Sequence, residues 1–125
     1  MLTLTRFGAR DLPAARQFYD ALAEILGAQR IIERDNVIGY KGASGVTFLI
    51  GTPREGEASF GNGTQVVFDA PSQAAVDKAH ATALAMGGKC EGAPGLRGPA
   101  EMNRYAAYFR DLDGNKIMVL NTGAG

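Results

Sequence analysis

At 125 residues with 46% hydrophobic side chains, the chain is the size of one domain and can bury a core of its own. Its thirteen basic and thirteen acidic residues cancel, which removes the basic surplus expected of a protein that binds nucleic acid or an anionic membrane surface. No apolar run approaches the length of a bilayer span, and the single cysteine, Cys90, has no internal disulfide partner; a cytoplasmic location and a buried structural thiol are expected.

Seventeen glycines and five prolines cut the chain into short pieces. Residues 2–8 alternate as a strand, with Leu2, Leu4 and Arg6 on one face and Thr3, Thr5 and Phe7 on the other. Asp11 is placed to cap a helix in which Leu12, Ala15, Phe18, Tyr19, Leu22, Ile25 and Leu26 recur at three-to-four spacing, and Gly27 ends it. Strands are predicted at 30–33, 37–41 and 46–50, which completes a βαβββ unit. Residues 52–63, with Pro53, Glu55, Glu57 and little to bury, read as a linker centred on 53–62.

The pattern then restarts. Residues 64–69 are strand-like, Ser72 is a second N-cap, and Val76, Ala79, His80, Ala83 and Leu84 line one helical face before Gly87-Gly88. One constant shift places Leu4 on Gln65, Phe7 on Phe68, Tyr19 on His80 and Gly27 on Gly88, so the second half repeats the first. Residues 92–103, rich in glycine and proline, are expected to form a long rim loop carrying Leu96, Arg97 and Met102. Residues 105–121 read as a closing hairpin. Its first strand alternates, with Tyr105, Ala107 and Phe109 on one side and Tyr108 on the other, and Asp113-Gly114-Asn115 form the turn.

This ending, an aromatic strand, Arg110-Asp111, Asp113-Gly114-Asn115 and an aliphatic strand, resembles that of the vicinal oxygen chelate superfamily, which includes glyoxalase I, extradiol dioxygenases and bleomycin-resistance proteins. Leu112 stands where that family usually has proline, which alters only a turn preference. The resemblance covers essentially the whole chain. It implies an α+β fold of two tandem βαβββ modules, about 1–52 and about 63–122, forming a curled mixed-sheet cup with the helices packed outside.

Metal enzymes of that family carry ligands on the first and last strands of each module. Transferred by position, these fall on Leu4, near Phe48, on Gln65 and on Met118, and only Gln65 offers a donor atom. An amide oxygen alone does not hold a catalytic divalent ion, so no metal and no other cofactor is implied. His80 is expected at the edge of the core, outside the cup. The cup would be lined by Leu2, Leu4, Phe48, Val67, Met118 and Leu120, with Arg6, Gln65 and Asp69 supplying charge and hydrogen bonds, and with Arg97 and Tyr105 also assigned to ligand binding. An inward Arg6 needs an anion, either Asp69 or an acidic ligand. Two functions follow: a metal-independent protein that binds or sequesters a small organic molecule, or a glyoxalase- or dioxygenase-like lyase or isomerase. The resemblance also implies a homodimer, because modules of this kind pair across strand edges.

Overall fold

The computed structural model describes residues 1–123. In chain order its elements are β1 (Leu4–Gly8), α1 (Leu12–Leu26), β2 (Gln29–Glu33), β3 (Val37–Lys41), β4 (Thr47–Gly51), β5 (Gln65–Asp69), α2 (Gln73–Ala85), β6 (Lys89–Arg97), a 3-10 turn (Ala100–Met102), β7 (Arg104–Arg110) and β8 (Lys116–Asn121). Both helices begin where a short polar side chain can replace a missing backbone partner: Asp11 accepts the Ala14 N–H at 3.1 Å and Ser72 that of Ala75 at 3.0 Å. Gly27 stops α1 in the left-handed conformation, φ 77°, which a side chain would resist.

The two halves have the same topology. One sheet has the order β1-β4-β3-β2 and the other β5-β8-β7-β6. In each, the first and last strands of the module pair in parallel and the rest antiparallel, a parallel pairing that requires the helical crossover between them. The sheets do not close into a barrel and together form a curled cup, with the helices against one face. No helix is long and apolar enough to cross a membrane.

The helix-facing sides share one core. From α1 come the bulky Phe18, Tyr19 and Leu22, and from α2 the small Ala75, Val76, Ala79 and Ala83, all buried. The rings cross between modules: Phe18 meets Phe109 edge-on with centroids 6.4 Å apart, and Phe48 meets Phe68 at 5.0 Å. Beneath them lies a buried polar clasp. Asp111 accepts the Tyr19 hydroxyl, the backbone N–H groups of Asp113 and Asn115 at 2.9 Å each, and the Asn115 amide. Asn115 also donates to the Gly8 carbonyl, and the Arg10 N–H to Asp113. The closing turn, held by Gly114 at φ 88°, therefore fastens the second module to the start of the first.

Two segments differ from the reading of the sequence. Residues 92–97 belong to the long edge strand β6 rather than to a rim loop; Pro94 fits because the strand is an edge with register shifts on either side. The linker does bury something. Ala58 is 5% exposed and packs against Gly8, while the Phe60 ring lies over Gly114 and beneath the Arg110 guanidinium at 5.5 Å.

Candidate functional site

The face of each sheet turned away from the helices is the surface available to a ligand. On β1, Leu4 and Arg6 are exposed while Phe7 is buried; on β5, Gln65, Val67 and Asp69 are exposed. Ladder partners point to the same side of a sheet. Arg6 is paired with Leu49, and Val67 with Met118, so Leu49 occupies in the first module the place that Met118 occupies in the second. Phe48 was expected there. Instead it is paired with Thr5 and faces the helices, packing on Phe7 and Tyr19, because the register of β4 on β1 sets Leu49 beside Arg6, and a shift of one residue exchanges the two faces.

The four positions to which the resemblance transfers metal ligands, with Leu49 in the place expected of Phe48, thus carry Leu4, Leu49, Gln65 and Met118. Two hydrocarbons, an amide and a thioether do not provide the imidazole and carboxylate donors that a catalytic divalent ion needs. Among the described residues there is no group of three or more histidine, cysteine, aspartate or glutamate side chains placed to hold a metal ion.

Arg6 and Asp69 do not form an ion pair. The Arg6 guanidinium donates to the Thr52 carbonyl at 2.8 Å. It lies over Gly51, where a Cβ would come within 2.7 Å of its Nη2, so the missing side chain lets it fold back onto its own sheet. Tyr105 is also displaced from the cup. It faces the helices, where its hydroxyl donates to Asp77 of α2 at 2.5 Å, and that bond raises its pKa.

On the free face of the second sheet, Arg97 is paired with Arg104, Gly95 with Ala106, and Gly92 with Tyr108. The row continues from Tyr108 to Met118 and from Arg110 to Lys116. The Arg97 guanidinium and the Lys116 ammonium lie over the Tyr108 ring, 5.6 and 5.4 Å from its centre. Arg110 pairs with Glu91 at 2.8 Å. Arg97 was assigned from the sequence; Leu49, Arg104, Tyr108 and Lys116 were not. The alternation of 104–110, which places Arg104 and Tyr108 on one face, was the signal available for two of them.

Two other features lie on the helix side. A cavity of about 290 Å³ is lined by Tyr19, Leu22, Leu26, Tyr40, Phe48 and Phe68, with Val67 and Asp69 at the β5 edge. Its two tyrosine hydroxyls already donate to Asp111 and Asp20, and burial raises both tyrosine pKa values, so few polar groups remain to orient a ligand there. His80 is buried, and burial lowers its pKa. Its Nε2 lies 3.2 Å from Cys90 Sγ. Cys90 itself is exposed rather than buried, because it stands on the edge strand β6.

The family model described as Glyoxalase/Bleomycin resistance protein/Dioxygenase superfamily matches residues 3–119. A crystal structure of a glyoxalase/bleomycin resistance protein from Albidiferax ferrireducens T118 is 38% identical and superposes with a TM-score of 0.88, over 97% of this chain and 98% of that one. A glyoxalase/bleomycin resistance protein/dioxygenase family enzyme from Burkholderia phytofirmans PsJN shares the fold at 20% identity and TM-score 0.71, over 97% and 98% of the two chains. Lactoylglutathione lyase from Agrobacterium tumefaciens does so at 22% and 0.66, over 97% and 92%. No curated protein matches the chain.

Proposed function

We propose, for a chain that belongs to the Glyoxalase/Bleomycin resistance protein/Dioxygenase superfamily, that its cup binds or sequesters a small organic molecule without the help of a metal ion. The observation that carries this reading is the set of side chains at the ligand positions, Leu4, Leu49, Gln65 and Met118. The rest of the face suits an organic ligand, since Val67, Met118 and Leu120 give apolar area while Gln65, Asp69 and the arginines give polar anchors. Membership alone does not separate binding from catalysis, because one fold hosts both.

Elemental analysis of protein purified without chelator should find no stoichiometric zinc, nickel, iron or manganese. Such a metal retained through mild chelation would overturn the reading and favour a lyase or dioxygenase. The triple variant Leu4→His, Gln65→His, Met118→Glu should gain an affinity for divalent ions that no single change gives, since one or two ligands hold such ions weakly. The working unit in this proposal is a homodimer, because β1, β2, β5 and β6 are all sheet edges. Light scattering should give twice the monomer mass at micromolar concentration, and a monomer mass would remove that part of the proposal.

A further inference from the structure

We infer that the molecule bound in the cup is an organic anion, whose carboxylate or phosphate group is held by Arg97 and Arg104; the inference rests on the binding function proposed above. Arg97 and Arg104 are direct cross-strand partners, an arrangement in which like charges destabilise a sheet unless something of opposite sign lies between them. No carboxylate among the described residues does so. The ion pairs there engage Arg10, Arg16, Arg30 and Arg110, and none involves Arg97, Arg104 or Lys116. The Arg104 Nε is buried without a hydrogen-bond partner, and a buried donor left unmade costs free energy that an incoming acceptor would recover.

The strand beneath is shaped for these side chains. Gly92, Gly95 and Gly98 recur every third residue along β6 and just beyond it. A Cβ at Gly92 or Gly95 would lie 3.2 Å from a terminal nitrogen of Arg97, and one at Gly98 would lie 3.0 Å from Arg104 Nη2. Bare backbone therefore makes room for both guanidinium groups to lie close to the sheet, where Arg97 Nη2 donates to the Ala93 carbonyl at 2.6 Å and the guanidinium has further N–H groups to offer an acceptor. Tyr108 flanks them and carries Lys116 on its ring as well as Arg97. The adjacent row runs from Gly95 through the small, fully buried Ala106 to Leu120, whose side chain gives apolar surface for the body of the ligand. Two guanidinium forks beside such a surface fit a planar or aliphatic acid, because a fork matches two oxygens of one anion.

The test uses benzoate, phenyl phosphate and the neutral benzamide as probes, titrated by calorimetry into the full-length protein and its variants. Benzoate or phenyl phosphate should bind about tenfold or more tightly than benzamide, as charge-assisted hydrogen bonds require; which of the two binds better identifies the carboxylate or phosphate source. Arg97→Met and Arg104→Met should each abolish the preference for the charged probes over benzamide, and Arg34→Met, on an exposed turn of the first module, should retain it. Gly95→Ala, which displaces Arg97 without removing a charge, should weaken the preference. A folded Arg104→Met protein should also show a higher thermal midpoint than the parent in low-salt buffer without added anion, through relief of the like-charge pair. Equal binding of charged and neutral probes, or a preference that survives both arginine variants, overturns the inference and leaves the binding function standing. Failure of every probe to bind at millimolar concentration overturns both.

Discussion

The two modules have one topology and two divisions of labour. In the first, the free face is closed by its own side chains: Gly39 lies between Leu49 and Ile32, where a Cβ would come within 2.8 Å of Leu49, and Arg6 is bonded back to Thr52. In the second, Arg97 also donates to a backbone carbonyl, that of Ala93 at 2.6 Å, but it stands beside Arg104 and Lys116, and none of the three has a carboxylate partner among the described residues. The helices differ in the opposite sense. The first module's helix inserts large rings into the shared core, whereas the second supplies alanines and a valine that let the elements approach. A repeated backbone has thus been filled with large rings in the first helix and with a cluster of cationic side chains on the free face of the second sheet.

The largest effect expected from disturbing this division is in α1. Phe18→Ala removes a ring that is 1% exposed and spans to Phe109, and should cost about 3–5 kcal/mol in chemical denaturation. A loss below about 1 kcal/mol would show that the core does not depend on the first helix. In α2 the opposite change should hurt: Ala79→Leu, at a position with no exposure, should cost about 1–3 kcal/mol through overpacking. Stability equal to the parent would mean that the seat of α2 is loose.

The smallest effect compares two residues in equivalent places, Tyr19 and His80. Burial raises the pKa of Tyr19, with the Asp111 carboxylate acting in the same direction, and lowers that of His80. The neutral tyrosine therefore contributes stability below its unfolded pKa of about 10, and this is lost as pH rises further. The neutral histidine contributes above its unfolded pKa of about 6.5, and this is lost as pH falls. The stability profile should decline at both ends, with Tyr19→Phe flattening the alkaline arm and His80→Gln the acid arm. An unchanged acid arm in His80→Gln would assign that decline to other groups.

The repeat, the caps and the order of elements were legible in the sequence because they depend on local spacing: apolar residues three and four apart, Asp11 and Ser72 ahead of them, glycines after. What could not be read depended on register or on distant partners. Nothing local says that Leu49 rather than Phe48 pairs with Arg6 on β1, yet that one step of register moves Phe48 out of the cup and Leu49 into it. Pro94 and three nearby glycines look like a loop until β7 is known to pair with them. Arg6 carries an inward-facing pattern, but Gly51 and the Thr52 carbonyl, more than forty positions away, decide where its guanidinium rests. Of the residues assigned to the cup from the sequence, Leu4, Gln65, Val67, Asp69 and Met118 lie on the face turned away from the helices, as alternation alone predicts.

The clasp around Asp111 also has a consequence for how the chain is made. Tyr19 and Asp111 are separated by 92 positions, and Gly8 and Asn115 by 107. While the chain is being synthesised, the first helix must wait, its hydroxyl and ring edge unmatched, until nearly the last hairpin has emerged. Contacts of such long range are the slow ones in folding, and a nascent first half with its apolar face open is the kind of species that associates with others of its kind. Chains stalled before residue 104 should remain protease-sensitive, and release of the final hairpin should bring protection to both halves at once.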